Sequence, residues 1–152
     1  RGLCYSVYAF HWGFSDTGIF GVHAATGRSD VAKLVPVIVD ELKRAGEDIS
    51  VEEINRARAQ YRAGLLMSRE SASSRASQLA RQMMLHGRPV PMEELMERLS
   101  NITVERVTDL ASRLFSTRPT VAGIGPLDRL ASYDHISDLL TSRPASEQKI
   151  AV

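Results

Sequence analysis

The chain has 152 residues, 43% hydrophobic and 24% charged, which suits one globular domain with a real core. Its 19 basic and 18 acidic residues leave a formal net charge of +1, so there is no electrostatic case for nucleic acid or an anionic membrane. A single cysteine excludes an internal disulfide framework, and no apolar run approaches the ~20 residues of a membrane helix.

The chain opens at Arg1 without an initiator methionine, directly on an aromatic segment, and reads as a piece of a longer protein. Residues 5–12 and 17–25 are rich in aromatic and β-branched side chains. Between them, Gly13-Phe14-Ser15-Asp16 carries turn chemistry, which predicts a β-hairpin with a loop of about four residues. Strand alternation puts Tyr8, Phe10 and Trp12 on one face of the first strand and Phe20, Val22 and Ala24 on one face of the second. The hairpin is expected to cover a layer of helices. Gly18 and Gly21 are expected to permit close packing on the strand.

From Arg28 the apolar period becomes helical: Val31, Leu34, Val35, Ile38, Leu42 and Ala45 form one stripe. Pro36 lies inside it, near the first turn or at a kink, and Gly46 is expected to end it as a left-handed cap. Ser50-Val51-Glu52-Glu53 is a capping box for a second helix, with Val51, Ile54, Ala57, Tyr61, Leu65 and Met67 inward. The stripe lapses over Ser68–Ser74 and resumes at Ala72, Ala76, Leu79, Ala80 and Met83, which fits one long kinked helix or two. Gly87-Arg88-Pro89 stops it. A short helix from Met92 to Leu99 and another from Thr103 follow, the latter with Val104, Val107, Leu110, Ala111 and Leu114 inward. Thr120-Val121-Ala122-Gly123-Ile124 reads as a buried strand stopped by Gly125-Pro126, and a last helical turn fits Tyr133–Leu140. The fold class is α+β: an incomplete antiparallel sheet, hairpin plus C-terminal strand, covered on one face by several helices. Residues 1–141 form the module, and residues 142–152 read as a flexible tail because they are polar and aperiodic.

Chemistry is sparse. His11, His23, His86 and His135 include no pair within four residues, so no helical zinc pair exists. His11 and His23 lie on paired strands and can approach each other, but isolated histidines usually serve as surface or satisfied core groups. Cys4 has no Cys partner and no base that the sequence places beside it, so it reads as a buried thiol. Gly18, Gly21 and Gly27 lack the strand-to-helix spacing of a phosphate loop. The alternating charges of residues 41–62 read as a solvated helix face.

The segment Arg1-Gly2-Leu3-Cys4-Tyr5-Ser6-Val7 resembles the Arg-Gly-Leu-x-Tyr-Ser-Val hairpin start of the insulinase/pitrilysin family, in the branch of mitochondrial processing peptidases and their bacterial relatives. Further blocks resemble that family in order. They are Asp16-Thr17-Gly18-Ile19-Phe20-Gly21, the stretch from Ser50 to Gly87 with Arg69-Glu70-Ser71 and His86-Gly87-Arg88, Ile102-Thr103-Val104-Glu105-Arg106-Val107, and Pro119–Pro126. Together they span most of the chain up to about residue 130, and an ordered run of this kind is specific.

The resemblance implies a zinc metalloendopeptidase built from paired homologous α+β modules around a peptide chamber. In that family an inverted H-x-x-E-H motif in the N-terminal module holds the metal. No histidine of this chain is followed by x-x-Glu-His, so the resemblance points to the later part of the C-terminal module. It implies zinc in the parent enzyme and none on this chain. It implies, as partners, a peptide or unfolded polypeptide substrate and the N-terminal zinc-bearing module; an exposed sheet edge adds self-association. No nucleic-acid or membrane partner is expected. By the same resemblance Tyr5 stands at a substrate-contacting tyrosine that helps stabilise the reacting carbonyl, while its arginine partner lies upstream of this chain and is not Arg1. A bacterial cytoplasm fits the branch. The alternative function is a noncatalytic structural or chaperoning subunit of the same family.

Overall fold

The computed structural model of the chain describes residues 2–142. In chain order it contains β1 (Ser6–Gly13), β2 (Gly18–Ala25), α1 (Val31–Glu47), α2 (Val51–Ser68), α3 (Ala72–His86), α4 (Met92–Ser100), α5 (Val104–Phe115) and α6 (Tyr133–Thr141). The class is α+β, as the sequence predicts. Arg1 and most of the expected tail lie outside the described residues.

The sheet is smaller than expected. Among the described residues it has two strands, β1 and β2. The segment 120–124 forms no strand, and Ile124 is fully exposed. Its alternation suits a strand, but a strand exists only when a neighbour pairs with its N–H and C=O groups, and none does here. The hairpin itself is sharply registered. The Tyr5 N–H donates to the Ala25 carbonyl at 2.8 Å where the strands open, and the Phe14 N–H donates to the Thr17 carbonyl at 2.9 Å at the loop. On one face Tyr8 stacks on His23 at 4.9 Å between ring centroids, and Phe10 leans on Trp12 at 5.2 Å. The Phe10 ring lies across Gly21, where a β-carbon would fall 2.4 Å from the ring, so glycine is the residue that fits.

The chain forms two compact units, each with its own small core. The first comprises residues 2–7, Ala24–Asp48 and 107–142. In it α1 packs against α6, burying Leu34, Val39, Ile136 and Leu140 together with Ala111 of α5. Pro36 is the sixth residue of α1 and cannot bond to the Ala32 carbonyl, but Ala32 is exposed and water can serve that group. Gly46 does not cap the helix. It is helical, and Asp48 closes α1 through its N–H to the Arg44 carbonyl. A β-carbon at Gly46 would meet that of Ala111 at 3.5 Å, an ordinary van der Waals contact, so α1 passes near Ala111 here. Arg118 ties down α6 by donating to Asp134 Oδ1 at 2.7 Å and to the buried Ser137 hydroxyl at 3.2 Å, with its guanidinium 5.1 Å from the Tyr133 ring centroid.

The second unit comprises Tyr8–His23 and Ile49–Arg106. Here α2 packs against α4, and Ile54, Val90 and Leu99 are buried. The capping box forms as predicted: Glu53 N–H to Ser50 Oγ at 3.1 Å, and Ser50 N–H to Glu53 Oε2 at 2.9 Å. The two-helix alternative is the correct one, because Ser71 caps α3 through the Ser74 N–H. Gly87 closes α3 in the left-handed region, at φ 68°. Burial falls short of the sequence pattern, however. Val51, Tyr61 and Met67 of α2 and Leu79 and Met83 of α3 are exposed, and no residue of α3 is buried. Periodicity finds the apolar face but not whether anything covers it. Arg58 steadies the turn before α5, donating to the Ile102 carbonyl and to Asn55 Oδ1.

Two outcomes follow. Gly21→Ala is expected to lower stability by about 1–3 kcal/mol as the Phe10 ring is displaced, the usual range for overpacking. Chemical denaturation reads this directly, and an unchanged midpoint would refute the Phe10–Gly21 packing. Glu94 accepts a two-pronged pair from Arg88, both contacts at 2.8 Å, and a third contact from Arg98 at 2.5 Å. The Arg88 hydrogen bond is the main force holding its carboxyl at about 2, against an ordinary 4.5. A depressed carboxylate contributes stability in full above its ordinary value and loses it as pH falls toward the folded one. Stability should therefore fall between about pH 4.5 and 2, and Glu94→Gln should remove that component of the acid profile. An identical profile in the variant would assign the acid sensitivity elsewhere.

Candidate functional site

The opening of the hairpin carries the candidate site, within the first unit. Gly2, Leu3, Cys4 and Tyr5 run alongside Thr26, Gly27 and Asp30 and enclose a small depression of about 70 Å³. Gly2 takes a positive φ of 63° and turns the chain into this run. Tyr5 is fixed through its backbone by the bond to Ala25, while its side chain is 87% exposed. Its hydroxyl has no hydrogen-bond partner among the described residues, and a β-carbon on Gly27 would stand 3.6 Å from it. Thr26 Oγ1 donates to the Leu3 carbonyl at 2.5 Å. The Asp30 N–H donates to the Gly27 carbonyl at 3.0 Å and leads into α1, and the Asp30 carboxylate accepts from Ser29 Oγ at 2.9 Å. Cys4 is half-buried rather than buried, because it lines this depression.

The histidines do not converge. His23 is occupied by its stack on Tyr8, and alternation puts His11 on the opposite face of the hairpin. His86 ends α3, and His135 lies in the first turn of α6 with its N–H capped by Ser132. Among the described residues no group of three or more His, Cys, Asp or Glu side chains is placed to hold a metal ion. The residues present therefore do not fit a zinc site, which needs three or four converging ligands. No helix of the described residues is long and apolar enough to cross a membrane.

Sequence reasoning reached Tyr5 and missed Thr26, Gly27 and Asp30. Thr26 bonds to a residue 23 positions away, and no local pattern encodes such a contact. The one available signal was a Thr-Gly pair directly after a strand, a common loop beginning.

The described residues thus present a two-stranded hairpin with an exposed tyrosine at its opening, and no group of side chains among them is placed to hold a metal ion. The comparisons with known proteins agree. Residues 1–61 match the family model described as the Peptidase M16 inactive domain. An uncharacterized zinc protease of Rickettsia bellii is 33% identical over 125 residues, covering 82% of this chain and 30% of that protein. The alpha subunit of the mitochondrial-processing peptidase of Rattus norvegicus is 31% identical over 140 residues, covering 91% and 26%. Among solved structures, a chain of complex III2 from Candida albicans, with Inz-5 bound, superposes with a TM-score of 0.81 over 88% of this chain and 33% of that one. At 24% identity it bears on the fold alone. The chain belongs to the insulinase, or M16, family of zinc peptidases, in its C-terminal module. It spans less than a third of the length of these relatives.

Proposed function

We propose that this chain acts as the C-terminal, non-zinc-binding module of a zinc metalloendopeptidase, helping to bind and cleave unfolded peptides, with Tyr5 touching the substrate. The observation that supports this most is the phenol itself. It is exposed, it sits on a backbone pinned by Ala25, and its hydroxyl is unengaged among the described residues. A donor presented in this way can stabilise the negative charge that develops on a peptide carbonyl during hydrolysis. Activation of water belongs to a zinc-bearing module, which is the proposed partner. Two relatives are by name the beta subunit, from Mus musculus, and the alpha subunit, from Rattus norvegicus, of the mitochondrial-processing peptidase, which supports work in pairs. Self-association of the chain is supported by the hairpin. Neither Ser6–Gly13 nor Gly18–Ala25 carries Asp, Glu, Lys or Arg, the charges that commonly keep a strand edge from pairing with another strand.

Tyr5→Phe removes only the hydroxyl. In the peptidase assembled with its zinc-bearing module it should lower kcat by about 10²-fold, the usual cost of losing one such donor, with the thermal midpoint unchanged. Turnover equal to the parent would discard the substrate contact and favour the structural-subunit reading. The purified chain alone should neither retain stoichiometric zinc nor cleave an unstructured peptide. Chelator-sensitive cleavage by the isolated chain would overturn the division of labour.

A further inference from the structure

We propose that Thr26 is the positioning residue for Tyr5; this rests on the substrate contact proposed for Tyr5. A side chain that is 87% exposed has almost no packing to hold it. Its place is set by its backbone, and Tyr5 immediately precedes β1, where strands fray. Two bonds counter that fraying. One is the Tyr5 N–H to the Ala25 carbonyl, and the other is the Thr26 hydroxyl to the Leu3 carbonyl, two residues before Tyr5.

Thr26 is itself well anchored. It follows β2 directly, and the turn after it closes through the Asp30 N–H to the Gly27 carbonyl. That turn enters α1, whose Leu34 is buried and whose Leu34 N–H bonds back to the Asp30 carbonyl at 3.0 Å. The hydroxyl thus ties the run carrying Tyr5 to the fixed start of a packed helix. Threonine suits the task because its branched β-carbon restricts χ1 and keeps the donor aimed. A methyl on Gly27 would meet Tyr5 Oη at 3.6 Å, an ordinary van der Waals contact, so the phenol lies beside this turn. Thr26 acts through Tyr5 and touches no substrate.

The test uses the peptidase assembled with its zinc-bearing module, with Thr26→Val and Thr26→Ser each made in the parent and in Tyr5→Phe. Thr26→Val keeps the shape and loses the donor. It should lower kcat about tenfold with little change in KM, since misplacing a contributing group by about 1 Å costs up to about 10²-fold. Thr26→Ser, which keeps the donor, should rescue most of that loss. In the Tyr5→Phe background Thr26→Val should cost nothing further, because residues acting as a unit are non-additive. Amide hydrogen exchange at Tyr5 should quicken in Thr26→Val and not in Thr26→Ser. An equal loss of kcat in both Tyr5 backgrounds, or unchanged exchange at the Tyr5 amide, would overturn the proposal. Should Tyr5→Phe alone leave turnover intact, the substrate contact falls, and exchange at Tyr5 decides by itself whether Thr26 positions that residue.

Discussion

The hydrogen bond from the Tyr5 N–H to the Ala25 carbonyl closes the wide end of the hairpin and helps hold its register. That register seats Tyr8 against His23 and lays Phe10 over Gly21. A slip of one residue would turn every side chain of a strand to the other face, so the aromatic row and the glycine beneath it are coupled to this pairing. The residues that follow Ala25 continue the same path. Thr26 reaches back to Leu3, Gly27 and Asp30 form a turn, and α1 begins. Local pairing, rather than a deep core, holds the part of the chain that presents Tyr5.

Among the described residues a deep core is lacking. The two strands and six helices described bury few hydrophobic residues, and these are divided between two units. Tyr61, Leu66 and Met67 on α2 and Leu79, Met83 and Met84 on α3 meet solvent instead. The backbone of 120–124 is in the same position, apolar in sequence and without a strand to pair with among the described residues. Surfaces of this kind are normally covered by other protein. Family membership gives that a context, because the match to this chain spans less than a third of each relative's length.

What the sequence made legible was local. Ser50 and Glu53 lie three residues apart and cap each other, Thr103 meets the Arg106 N–H, and Gly87 takes the left-handed φ that ends a helix. Each is decided within one helical turn. Gly46 is the exception: glycine often closes a helix, but here the helix runs on through it and Asp48 closes α1. The inward sets of α2 and α3 were identified as faces, yet burial depends on elements distant in sequence. The candidate site divided in the same way. Tyr5 was found through an unbroken motif, whereas the hydroxyl that bonds to Leu3 in the same run comes from 23 positions beyond Leu3.

Trp12 is the chain's single tryptophan, and it stands 55% exposed beside Phe10 on the aromatic face of the hairpin. The protein therefore carries its own optical gauge of that face. Indole emission shifts with the polarity around the ring, so whatever comes to cover the hairpin writes its arrival into the colour of one residue, with no label added.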